Sequence, residues 1–373
     1  MQKKIIALAI AGLASTAAFA QSNVTVYGVA DLGQAWVKSS GGSTANSDQK
    51  TVGRLDNNSS YLGFKGTEDL GNGLKAVFQF EVGYNSDDAA GTTKTGFGGG
   101  RDSYVGLAGG FGTVLLGNLT HPLRAFGAKV DVLPGAAGFG TTASITGTIN
   151  GDKTGADDRA KNAVAYVSPS FGGVNVIAAY VNGEARESDD QVGAGKKSYN
   201  QKQYQLAAQY AAGPLFVGAG YHKAVDFGAT TAAGGGTDAT VWRVAATYDL
   251  PTNTKLTALY DNTKVDTTGG DVKRAAWSVG AIQSFGKNAV GLQYARSGDV
   301  EIPGVDANNA VKMWSLGYTY AFSKRTMLHA RYSKLSNDKA GDTAFYNNPV
   351  ANPQDGSNGS DYTGYMVGVR HSF

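Results

Sequence analysis

The sequence predicts an all-β fold: a closed transmembrane antiparallel β-barrel of about sixteen strands. Apolar and polar residues alternate with a period of two through one segment after another, the mark of strands with two different faces. Short and long connections between these segments also alternate. Finally, 19 Tyr and 15 Phe coexist with a mean hydropathy of only −0.23. Such averaging is expected when half of each strand faces hydrocarbon and half faces water.

The chain opens with Met1-Gln2-Lys3-Lys4, an apolar run from Ile5 to Leu13, and Ala18-Phe19-Ala20. A basic start, a short apolar core and an A-x-A ending predict a secretory signal peptide over 1–20, cleaved before Gln21. The run is too short to span a bilayer as a helix, and nothing later offers the roughly 20 apolar residues a spanning helix needs. Residues 21–373 are therefore read as one barrel domain.

The first strand runs from Val24 to Val37, with Val24, Val26, Leu32 and Trp36 on one face and Thr25, Tyr27 and Asp31 on the other. A second begins near Ser59, alternating Leu62 and Phe64 with Tyr61 and Lys65. A tight turn at Glu68-Asp69-Leu70-Gly71-Asn72-Gly73 leads into a third, with Ala76, Phe78, Phe80 and Val82 opposite Lys75, Gln79 and Glu81. Later strands follow over 101–107, 113–118, 160–167, 174–181, 203–211, 215–223, 240–248, 255–261, 275–285, 289–296, 311–322, 327–333 and 362–373. Short turns such as 109–112, 168–173 and 251–254 alternate with long polar loops at 39–58, 85–100, 186–199, 226–238 and 337–361, the asymmetry of periplasmic turns and external loops. A soluble two-sheet sandwich shares the periodicity. Trp36, Trp242, Trp277 and Trp314 on apolar faces or strand ends favour the barrel, because amphipathic rings settle at the headgroup level.

The absence of cysteine agrees with export through an oxidising compartment. The net charge of +3 falls to +1 once Lys3 and Lys4 leave with the leader, which gives no reason to expect a nucleic-acid partner. His121, His222, His329 and His371 are scattered, with no G-x-S-x-G or H-E-x-x-H setting, so neither catalysis nor a metal or other cofactor is expected. The run Gly96-Phe97-Gly98-Gly99-Gly100 opens a strand rather than a helix, and is read as a flexible external loop, not a phosphate loop.

Several blocks, in order, carry a resemblance. They are Val24-Thr25-Val26-Tyr27-Gly28, the run from Leu62 to Ala76, Arg101 through Leu107, Phe111-Gly112-Thr113-Val114, Asn162 through Pro169, Tyr320 through Thr326, and Val369-Arg370-His371-Ser372-Phe373. Together they resemble the general porins of Gram-negative bacteria, the trimeric type common in beta-proteobacteria. The resemblance implies an integral barrel of the outer membrane, a homotrimer among lipid and lipopolysaccharide, and passive passage of small hydrophilic solutes and ions. It also implies that Phe373 belongs to a signal read by the barrel-assembly machinery, and that Val24, Val26 and Val367 contribute to the trimer contact.

A barrel of this strand number encloses a water-filled channel, so something must narrow it. The longest gap between strands, 119–158, holds Arg124, Lys129 and Asp131, and the resemblance implies that this third external loop folds inward as the constriction. On the wall, lumenal parity selects Lys65, Lys75, Arg159 and Lys161, and Arg101 opens a strand. Lys65, Arg101 and Arg159 match positions where the family often places cations. Asp31, Tyr61, Glu81 and Arg243 share the lumenal parity. The family commonly carries an arginine where Tyr61 stands and a base where Asn118 stands. Fewer cations imply only a modest anion preference or near neutrality. A channel specific for one solute, or an adhesin or receptor barrel, is the alternative reading; the first would need a track of lumenal aromatic rings.

Overall fold

Alternation in the sequence becomes continuous antiparallel pairing in the computed structural model, which describes residues 23–373 except 45–47, 86–95, 134, 136, 137, 139, 187–199, 228–235, 268 and 347–357. The expected leader lies outside the described residues. The strands are β1 (Asn23–Ser40), β2 (Gln49–Asn57), β3 (Tyr61–Gly71), β4 (Leu74–Asn85), β5 (Gly96–Gly109), β6 (Gly112–Thr120), β7 (Thr148–Ile149), β8 (Asp152–Lys153), β9 (Arg159–Val167) and β10 (Val174–Arg186). They continue with β11 (Asn200–Ala212), β12 (Leu215–Phe227), β13 (Thr237–Asp249), β14 (Thr254–Thr267), β15 (Gly270–Phe285), β16 (Asn288–Ser297), β17 (Val311–Ala321), β18 (Thr326–Asn337) and β19 (Asp361–Ser372). The helix α1 (Pro122–Val130) lies between β6 and the small hairpin β7–β8.

β2 and β3 are two arms of one barrel strand. β2 pairs with the upper part of β1, from Leu32 to Ser39, and β3 with the lower part, from Asn23 to Val29. The break between them holds Ser59 at a positive φ of 64°. Counted this way, the seventeen-stranded sheet is a barrel of sixteen strands. It closes where β1 meets β19, from Val29↔Ser372 to Ser40↔Asp361. Closure leaves no sheet edge with unpaired backbone groups facing hydrocarbon.

Burial is inside-out relative to a soluble protein. Val24, Val26, Leu206 and Leu116 are 50–57% exposed, whereas Arg243, Asp261 and Ser297 are at most 1% exposed. An apolar surface this extensive suits lipid, and in water would drive association. Aromatic rings join neighbouring strands on the outer face: Trp242–Tyr260, Trp277–Tyr294, Tyr294–Trp314 and Tyr332–Tyr365 lie 4.5–5.4 Å apart. This is the girdle expected where headgroups meet hydrocarbon.

Two segments read as loops are strand. Ser39, Ser40 and Gln49–Asn57 extend the β1–β2 ribbon and leave only 41–48 as connection, and Gly96–Gly100 opens β5. The physical reason is length. At about 3.3 Å per residue and a tilt near 40°, the 18 residues of β1 rise about 45 Å, well past a hydrocarbon layer of about 30 Å. Beyond the lipid a strand has no reason to alternate, and a glycine run has no period to show.

Candidate functional site

One half of the lumen is lined by the loop between β6 and β9. α1 starts at Pro122, whose fixed φ suits a first helical position. Its Leu123, Phe126, Gly127 and Val130 fall on one face and are buried. Phe126 and Val130 pack with Ala207, Phe216, Ala245 and Leu259 of the wall. The wall makes room with glycine: a Cβ on Gly218 or Gly220 would lie 2.8 or 2.7 Å from Phe126 or Leu123. Val132 settles in the same way over Gly280 and Gly291, and Leu133 over Gly317. Further on, Ile145 joins Ala35, Val37, Met313 and Leu335 in an apolar cluster.

Arg243, fully buried on β13, is the polar fastener. Its Nη1 and Nη2 each donate to Asp157 of the loop at 2.7 Å, its Nε donates to Asp261 at 2.9 Å, and Nη1 also reaches the Leu123 carbonyl at 2.8 Å. The Gly147 amide donates to the other Asp261 oxygen at 3.0 Å. Beside them the His121 ring lies 5.1 Å from that of His222. Burial, with His222 and Arg124 nearby, holds the His121 pKa well below the usual histidine range, so the ring is neutral at pH 7. The last external loop reaches in as well. Tyr346 donates to Asp158 at 2.6 Å, accepts from Arg124 at 3.1 Å, and offers its carbonyl to Lys153 at 3.1 Å. Sequence reasoning missed this strap. Its one signal was an aromatic pair, Phe345-Tyr346, in an otherwise polar loop.

The wall not covered by this loop is built by β3, β4, β5, β6 and β9 with the lower part of β1. Lys65 and Lys75 are exposed on its inner face. Lys65 sits 4.8 Å over the Tyr27 ring and Arg101 4.3 Å over the Tyr61 ring. Arg101 bridges to Glu81 at 3.2 Å, and Arg159 to Asp102 at 2.7 Å. Two irregularities aim these groups. Between Phe80 and Val82 the partner strand advances from Ser103 to Gly100, a bulge that lets adjacent Arg101 and Asp102 both make lumenal ion pairs. A second bulge, between Leu119 and Gly117 against Ala160 and Ala163, contains Asn162 at φ 56° and sets the direction of Lys161. Extra residues of this kind re-aim side chains at sites.

Several expected residues sit elsewhere in this scheme. Asp31 has the lumenal parity but is sealed off, at zero exposure, holding His329 and Arg370 at 2.9 Å and Asn58 at 3.0 Å. Arg243 is sealed beneath the loop. Parity fixes the face of a strand residue, not what later covers it. Of the three loop residues, Asp131 spends its carboxylate on the Thr142 amide and Thr141 hydroxyl, both at 2.8 Å. Arg124 is tied to Tyr346 and the Asp157 carbonyl. Lys129 alone is exposed, 4.7 Å over the Phe216 ring.

A closed barrel with a lipid-facing outside, a polar inside and a loop narrowing its lumen defines a membrane channel. The profile of the Gram-negative porin family matches residues 7–340. Over the full length of both chains the sequence is 33% identical to outer membrane porin protein 32 of Delftia acidovorans. The barrel is similar to that of an anion-selective porin from Comamonas acidovorans, with a TM-score of 0.71 and 28% identity over 95% of this chain and 100% of that one. Vibrio cholerae OmpT shares the fold, with a TM-score of 0.63 and 18% identity, over 94% of this chain and 99% of that one. The chain belongs to the Gram-negative porin family and is an outer-membrane channel.

Proposed function

We propose that small hydrophilic solutes and ions diffuse through the gap between the folded-in loop and the basic wall, with a modest preference for anions. One observation carries this reading. Lys65, Lys75 and Lys161 have no carboxylate within bridging distance among the described residues, while Glu81 and Asp102 of the same wall are consumed by Arg101 and Arg159. Uncompensated cations along the solute path set ionic preference without a tight site. A Debye length of about 8 Å at physiological salt keeps their field effective across a confined path. The relative from Comamonas acidovorans, described as anion-selective, supports the sign.

Reversal potentials across planar bilayers in a KCl gradient test this. The chloride-to-potassium permeability ratio is expected modestly above unity, and the double replacement Lys65→Glu and Lys75→Glu should bring it below unity. A strong cation preference in the unaltered channel refutes the assignment. We further propose that Val24, Val26 and Val367, about half exposed on the outer face, take part in a homotrimer. Lipid and lipopolysaccharide would then cover the remaining outer surface, and the barrel-assembly machinery would insert a chain whose mature end is Gln21. Sequencing the amino terminus of protein extracted from outer membranes should read Gln21-Ser22-Asn23; retention of Met1 would overturn the leader assignment.

A further inference from the structure

The uncovered wall carries more than charge. Tyr27, Tyr61 and Tyr104 lie on its lumenal side, two of them edge to face with centroids 6.1 Å apart. Lys65 and Arg101 cover the Tyr27 and Tyr61 rings. Glu81 links the group, accepting from Tyr27 at 2.8 Å and from Arg101 at 3.2 Å. Gln79 joins it to Tyr104, whose hydroxyl donates to the amide oxygen at 3.2 Å. With Glu81 neutralised by Arg101, one ammonium charge, that of Lys65, remains beside three half-buried rings.

From this juxtaposition we infer that the lumen wall holds a weak subsite for aromatic monocarboxylates, whose charge meets Lys65 and whose ring lies against the tyrosines. The inference rests on the diffusion-channel reading and names a class of solute that such a channel would favour. An aliphatic carboxylate of equal size gains the charge interaction and ordinary apolar contact. An aromatic one adds ring–ring attraction and an interaction with the cations over the rings. The subsite must stay weak, because conduction requires a solute to leave as readily as it enters. Two neighbouring strands supply Tyr27 and Tyr61, whose residues are register partners of Gly63 and Gly83. Gly63 has no side chain on this inner face, so nothing there separates the two rings.

The test compares sodium benzoate with sodium cyclohexanecarboxylate, equal in charge and nearly equal in size, as blockers of KCl current through the intact channel in planar bilayers. Benzoate is expected to half-block at a concentration about 2- to 13-fold lower, the factor that an aromatic contact of about 0.5–1.5 kcal/mol confers. The ratio should collapse toward unity in Tyr27→Leu/Tyr61→Leu and survive in Tyr61→Phe, each variant being normalised to its own chloride current. Equal half-blocking concentrations in the unaltered channel overturn the subsite, and so does a ratio untouched by the leucine pair, while the KCl current leaves the channel itself standing. A lipid film that stays silent in KCl alone would overturn the channel reading and the subsite with it.

Discussion

Replacing Arg243 with alanine should give a channel of larger and noisier single-channel conductance. The guanidinium holds Asp157 through two hydrogen bonds of 2.7 Å and Asp261 through one of 2.9 Å, at zero exposure. Removing it leaves two carboxylates, one nearly and one fully buried, facing each other without their shared cation. Breaking one partner of a buried pair costs about 3–5 kcal/mol. That cost falls locally, because the barrel ladders do not depend on the loop. The balance between latched and released loop should therefore shift by about 10²- to 10⁴-fold toward release. The apolar seat of Phe126, Val130 and Val132 remains, so the loop should flicker rather than vanish, and the current should show it. Asp157→Asn/Asp261→Asn, which removes the two negative charges as well, should soften the effect when combined with Arg243→Ala. If Arg243→Ala conducts with the size and quietness of the unaltered channel, this arginine does not hold the loop.

What the sequence revealed and what it hid follow from the same physics. Strand identity, parity and the alternation of turns and loops were legible because lipid on one side and water on the other impose a period of two. That rule puts Tyr61, Lys65, Lys75, Glu81 and Arg159 on the lumenal face. The seat of the folded-in loop was not, because Gly218, Gly280, Gly291 and Gly317 record it only as missing side chains, scattered over four strands. Asp31 and Arg243 were placed on the right face and given the wrong surroundings, since covering is a long-range event. The Tyr346 strap joins positions 188 or more residues apart in sequence, and no local pattern encodes that. Lys161, selected by parity, and Arg101, selected as the opening of a strand, both sit at bulges, where one extra residue breaks that parity.

Gly28→Val should sharply lower the yield of folded barrel, and comparison with Phe373→Ala separates two roles of the carboxyl terminus. The barrel closes where the Gly28 amide donates to the Phe373 carbonyl at 3.2 Å and the Phe373 amide donates to the Gly28 carbonyl at 3.1 Å. A Cβ at Gly28 would stand 2.5 Å from the Phe373 ring and 2.6 Å from the Tyr61 carbonyl oxygen. The ring can swing aside, but the carbonyl belongs to the ladder and cannot. Overpacking of this kind typically costs about 1–3 kcal/mol, and here it strikes the seam on which closure depends. Adding Phe373→Ala to Gly28→Val should not rescue it, because the backbone clash stays. Phe373→Ala alone keeps both seam hydrogen bonds and should refold in detergent nearly as well as the unaltered chain, as read by heat-dependent migration in gels. Its accumulation in outer membranes should nonetheless fall severalfold if the terminal ring is read during assembly. Equal losses in the test tube and in the cell would assign the ring to the seam alone, and undiminished accumulation in the membrane would remove it from the insertion signal.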